Sequence, residues 1–144
     1  IKSLNYAIDY FKISSGSRMV ELIGYSGGGV LATLVSTRRN DVAKLITVAS
    51  NLDTSAWTKH LGVSPLTYSI NPATLGPDLV NIPQVHLIGG KDAIVPKNIV
   101  KSYLDHVGLD VSRHMRVYKN FDHDCCWGQN WSTISTVLRT SNEE

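Results

Sequence analysis

The run Gly24-Tyr25-Ser26-Gly27-Gly28 sets one serine between the apolar stretch Met19 to Ile23 and a segment with helical spacing. A hydroxyl on a tight strand-to-helix bend stands clear of a sheet, and the first turn of the helix offers unpaired N–H groups to a developing negative charge. Such a site suits nucleophilic attack on a carbonyl. Because a serine hydroxyl is a weak nucleophile at neutral pH, it needs a base within hydrogen-bond reach and a third group to orient that base. In open parallel sheets functional side chains gather beyond the carboxyl ends of the strands, a filter that separates the five histidines. His123 passes it, following the apolar run that ends at Tyr118 by the short loop Lys119 to Asp122. His86 falls inside a strand-like run, His106 near a helix end, His114 at a strand start and His60 in a polar segment, all places for structural or solvated histidines. For the orienting acid, Asp92 follows the run Val85 to Ile88 and the turn Gly89-Gly90-Lys91, with Asp53 past another strand as the alternative. Asp122 and Asp124 flank His123 too closely to hold its ring from behind.

These side chains meet only if alternating strands and helices bring them to one sheet edge. Ile1, Leu4, Ala7, Ile8 and Phe11 recur at helical spacing and predict an opening amphipathic helix that stops near Gly16. Strands are predicted at Arg18 to Ile23, Lys44 to Ala49, Val85 to Ile88 and Met115 to Tyr118. Helices are predicted at Val30 to Thr37, Ile94 to Val107 and Trp131 to Leu138. That order implies an α/β fold, a mostly parallel sheet flanked by helices, whose strands read as continuous apolar runs because both faces are covered. Residues 51–83, rich in Asn, Ser, Thr and Pro, lack a clear period and are too long for an ordinary connection. They are expected to form a cap or lid within a single domain spanning residues 1–144.

Composition narrows the partners. Lys plus Arg (14) exceeds Asp plus Glu (12) by only 2, and the basic residues are scattered, so neither nucleic acid nor a membrane surface is indicated. No apolar run approaches the ~20 residues of a membrane span. A small molecule is the expected partner. Cys125 and Cys126 are adjacent, and a bridge between neighbours strains both peptide and disulfide geometry, so free thiols are expected. No second pair with ligand spacing accompanies them, and neither a metal nor an organic cofactor is expected.

Gly24 to Gly28, then Gly-Gly-Lys-Asp-Ala-Ile-Val-Pro at Gly89 to Pro96, then Phe-Asp-His at Phe121 to His123, resemble the three signatures of the α/β-hydrolase superfamily. The resemblance implies that Ser26 is the nucleophile of an elbow, Asp92 the acid, His123 the base and the Gly27 N–H one oxyanion donor. It implies a serine hydrolase that cleaves a carboxylic ester or lipid through an acyl-enzyme. Tyr25 fills the variable elbow position, and with Trp57 and Trp127 it is a candidate for lining the substrate pocket. The superfamily's first strands, and the loop with its second oxyanion donor, would precede the opening helix. A fragment is therefore expected, inactive by itself, with an amino-terminal segment or a second chain completing the sheet.

Two other readings fit parts of the sequence. Gly27-x-Gly29-x-x-Ala32 matches a relaxed dinucleotide-binding pattern, with Asp53 as a possible ribose ligand, but it leaves Ser26, Asp92 and His123 without a role. A non-catalytic domain on the hydrolase scaffold is the other.

Overall fold

A computed structural model describes residues 1–140. Four strands, β1 (Val20–Tyr25), β2 (Val42–Val48), β3 (Gln84–Gly89) and β4 (Met115–Tyr118), lie side by side in chain order, every pair parallel. Helix α1 (Lys2–Ser15) precedes β1, and α2 (Gly27–Ser36) joins β1 to β2. Between β2 and β3 lie α3 (Thr54–Leu61), a 3-10 turn at Pro72–Thr74 and α4 (Gly76–Leu79). Helices α5 (Lys97–Val107) and α6 (Val111–His114) join β3 to β4, and α7 (Trp127–Thr140) follows. The helix-flanked parallel sheet is the fold class that the strand–helix alternation predicts.

Strand periodicity sorts side chains onto two faces. Leu22 and Leu45 pack with Val35 of α2, and Ile88 packs with Val100, Tyr103 and Leu104 of α5. On the other face Ile46, Val48, Val85 and Leu87 meet Trp127, Ile134 and Leu138 of α7. Every residue of β3 is buried, so its apolar residues are interrupted only by Gln84 and His86, which hydrogen-bond within the core. Helix α7 does not roof β1, whose Ile23 and Tyr25 are 52% and 44% exposed. They border a groove of about 380 Å³ shared with Val48, Trp127 and Trp131.

The opening helix is less buried than its spacing predicts. Ile1 and Ile8 pack against the α2 cluster, whereas Leu4 and Phe11 remain 41% and 69% exposed. Polar contacts hold α1 in place instead: Lys12 Nζ meets Asp41 Oδ2 at 2.5 Å, and Arg39 reaches both Asp9 and Asp41 at 2.8 Å. Hydrogen bonding from Arg39, aided by Lys12 against the opposing effect of burial, lowers the Asp41 pKa to about 2.

The stretch 51–83 contains a helix that its composition hides. Asp53 caps α3 by accepting from the N–H groups of Ser55 and Ala56, and Gly62 ends it in the left-handed conformation at φ 66°. Asn71 ties the start of α3 to the 3-10 turn, donating from Nδ2 to Asp53 and accepting at Oδ1 from the N–H groups of Thr54 and Ala73. At two turns, α3 is too short for its period to stand out. Cys125 and Cys126 correct a second expectation: they are joined as a disulfide across a cis peptide bond, so they are not the free thiols that strain in a trans arrangement predicts. No helix among the described residues is long and apolar enough to cross a membrane.

Candidate active site

The bend after β1 holds Ser26 at φ 50° and ψ −127°, a conformation that side chains rarely adopt. Two contacts keep it there. Ser26 N–H donates to Val48 O at 2.8 Å, and the close return of α2 leaves no room at Gly24, where a Cβ would lie 2.5 Å from Gly29 Cα. Gly29 in turn has Ser50 against it, since a Cβ there would come within 2.6 Å of Ser50 Cβ. The second glycine of the relaxed dinucleotide pattern thus has a packing reason. Gly27 opens α2, so its N–H has no acceptor within the helix.

Asp92 lies beyond the carboxyl end of β3, its side chain fully buried. Its Oδ1 accepts from the N–H groups of Ile94 at 2.9 Å and Val95 at 2.8 Å, and its Oδ2 lies 2.9 Å from His123 Nδ1. Across the ring, His123 Nε2 lies 3.1 Å from Ser26 Oγ. A carboxylate can only accept, so Nδ1 carries the proton and Nε2 presents a lone pair to the serine hydroxyl. The loop bearing His123 reaches this position because Gly89 and Gly90 let it press against the end of β3. A Cβ on Gly89 would stand 2.7 Å from the carbonyl oxygens of Phe121 and Asp122, and one on Gly90 2.7 Å from Lys119 O. Backbone bonds from Gly90 N to Tyr118 O and from Lys91 N to Phe121 O join the two loops.

No protein-family model matches this sequence, and no curated protein matches it either. Solved structures do. The esterase domain of a Rhodothermus marinus protein matches 90% of the chain with a TM-score of 0.66 at 18% identity, the match covering 62% of that domain. An esterase of Pyrococcus furiosus matches 96% of the chain with a TM-score of 0.66 at 14% identity, over 60% of its own length. An α/β hydrolase from the metagenome of sediments of the Mar Chica lagoon, Morocco, matches 96% with a TM-score of 0.68 at 17% identity, over 68% of its length. The chain has an α/β-hydrolase-like fold. It spans about three fifths of the length of the two esterases.

Within this α/β-hydrolase-like sheet the remaining sequence candidates take distinct places. Asp53 does not approach His123. Both its oxygens are used, Oδ1 by the α3 cap and Asn71 and Oδ2 by Ser102 Oγ at 2.7 Å. Burial pushes its carboxyl up, but the donors from Ser102, Ala56 and Asn71 outweigh that and leave its pKa lowered. An aspartate so occupied suits neither the orienting acid nor a ribose ligand. Trp57 donates its indole N–H to Ile94 O at 3.0 Å, and His60 Nε2 lies 3.0 Å from Ala93 O, so α3 leans on the loop of Asp92. Trp127 is buried, and its indole N–H is shared between Asp122 O at 3.1 Å and His123 O at 3.2 Å.

Sequence reasoning misses what Tyr25 does. Its hydroxyl donates to His123 O at 2.8 Å and lies 3.2 Å from Asp124 Oδ1. Burial first, then the hydrogen bond and charge of Asp124, push the phenol pKa up, so the hydroxyl stays a donor at neutral pH. No local pattern links residues 98 positions apart. Asp53 is different: an aspartate followed by Thr-Ser-Ala-Trp carries the residue type of a helix cap.

Proposed function

We propose that this chain carries the nucleophile, acid and base of a serine hydrolase that cleaves a carboxylic ester or lipid. The observation that carries the reading is the unbroken hydrogen-bond path from Ser26 Oγ through the His123 imidazole to the buried Asp92. In this mechanism His123 Nε2 takes the proton as Ser26 Oγ attacks the ester carbonyl, while Asp92 orients the ring and stabilises the imidazolium formed. The Gly27 N–H, free at the start of α2, donates to the oxyanion. His123 then protonates the departing alcohol, leaving an acyl-serine. A water activated by the same imidazole hydrolyses it and restores the enzyme.

In this reading residues 51–83 form a cap, and α3, through Trp57, borders the acid loop. Tyr25 and Trp127 wall the groove beside the histidine, and they are assigned to an apolar part of the substrate. The second oxyanion donor is assigned to a segment that also pairs with β1, supplied by the same polypeptide or by a second chain.

A fluorophosphonate probe tests the reading in the intact protein. Labelling is expected in the wild type and lost in Ser26→Ala, and His123→Ala is expected to lower ester turnover by about 10⁴-fold or more. Labelling that survives Ser26→Ala would overturn the assignment. Quenching of tryptophan fluorescence by NAD, with no labelling at any pH, would favour the dinucleotide-binding reading instead.

A further inference from the structure

Tyr25 stands at a position of the serine motif that the chemistry leaves open, yet both its hydroxyl and its ring meet the loop of His123. The hydroxyl donates to the His123 carbonyl, and the ring lies 5.5 Å from the imidazole at a 43° tilt. Resting on the hydrolase reading above, we infer that Tyr25 is a positioning residue, tethering the loop of His123 to the strand of Ser26 and so setting the separation between Oγ and Nε2.

The other anchors of that loop run elsewhere. The bonds from Gly90 and Lys91 tie it to the end of β3, which governs how His123 meets Asp92. The Trp127 indole ties it to α7, and the Asp122 side chain closes it on itself by accepting from the N–H groups of Asp124 and Cys125. None of these reaches β1. Between the segment of Ser26 and the loop of His123, the described hydrogen bonds are the Ser26–His123 contact and the two made by Tyr25.

The distinction matters during turnover. Once Ser26 Oγ becomes the ester oxygen of an acyl-enzyme it no longer donates to Nε2, so the contact between the two reacting groups cannot hold them in register through the second half of the cycle. A phenol bonded to the histidine's own carbonyl is untouched by the chemistry and persists through both steps. Its geometric leverage is large, because misplacing a reacting group by about 1 Å can cost on the order of 10²-fold in rate.

Tyr25→Phe removes the donor while keeping the ring against the imidazole and the wall of the groove. With a model ester, kcat is expected to fall about tenfold with KM unchanged, and the fluorophosphonate labelling rate by a similar factor, as for one lost neutral hydrogen bond that fixes a catalytic group. Amide exchange at Asp124 and Cys125 reports the tether without any turnover, and it is expected to quicken in the variant. Equal labelling and turnover in Tyr25→Phe and wild type would overturn the inference while leaving the hydrolase reading intact. A raised KM with unchanged kcat would also overturn it, making the Tyr25 hydroxyl a substrate contact and not a tether. A wild type that resists the probe at every pH would sink the hydrolase reading and this inference with it.

Discussion

Three buried side chains outside the site show how residue chemistry sets stability here. His86 on β3 is fully enclosed, and burial, with a smaller push from His114, lowers its pKa to about 3. Its neighbours fix its tautomer. Gln84 donates from Nε2 to Leu79 O and Ile82 O, which leaves Gln84 Oε1 to accept from Tyr103 Oη at 2.7 Å and from His86 Nε2 at 3.1 Å. His86 Nδ1 therefore accepts from Thr47 Oγ1 at 2.8 Å, and the ring is held neutral. A folded-state pKa below the unfolded one means that the unfolded chain binds a proton the folded chain refuses. His86 thus contributes full stability above the ordinary histidine range and loses it as the pH falls from about 6.5 toward 3. Asp41 acts lower, from 3.8 down to about 2. Urea unfolding at pH 7 and pH 4.5 is expected to show a clear loss for the wild type and a flatter response for His86→Asn, which keeps one donor and one acceptor without titrating. Parallel slopes would refute the assignment. Asn51 is simpler: it is 8% exposed, and its Oδ1 has no partner among the described residues. A buried unpaired acceptor costs about 1–3 kcal/mol, so the near-isosteric Asn51→Leu is expected to stabilise the fold by about 1 kcal/mol in the same assay. A loss of that size would mean that the amide has a hidden partner.

At the scale of elements, the site depends on loops that pass close to strand ends. Gly89→Ala would push the carbonyls of Phe121 and Asp122, both backbone atoms that cannot swing aside, and so move the loop of His123. Probe labelling is expected to slow by about 10²-fold with a stability cost of about 1–3 kcal/mol. Gly28→Ala is the control, since nothing lies within 4 Å of a Cβ there. Placed inside α2, it is expected to be neutral or to add up to about 1 kcal/mol of stability, checked by thermal melting. The contrast separates glycines that admit a neighbour from glycines that merely occupy a motif. Strand and helix order was legible in the sequence because interior strands such as Lys44 to Ala49 and Val85 to Ile88 are mainly apolar, interrupted only by Lys44, Thr47 and His86, and because Ser26, Asp92 and His123 each follow a separate strand. What escaped it depends on distant pairs. The spacing of Leu4 and Phe11 says that α1 has an apolar side but not what covers it, and nothing near Tyr25 names the carbonyl that its hydroxyl finds.

At the scale of the whole molecule, β1 is an edge strand with its α7-side residues uncovered. Ile23 and Tyr25 are exposed beside a groove walled by Trp127 and Trp131, and apolar edges of this kind invite further strands. The matched esterases extend well beyond the part this chain covers, which agrees with the proposal that another segment pairs here. Ile23→Lys discriminates between an edge that stays open and one that is covered. In the 144-residue chain by itself a lysine at an exposed edge blocks sheet-to-sheet pairing, so sedimentation is expected to show less self-association and melting little change. In a longer polypeptide or a two-chain complex that covers β1, the same lysine would be buried against apolar neighbours without a partner, and a destabilisation of several kcal/mol is expected. Opposite signs in the two settings would establish that the edge is completed in the working protein. A harmless Ile23→Lys in both would show that β1 is the true margin of the sheet.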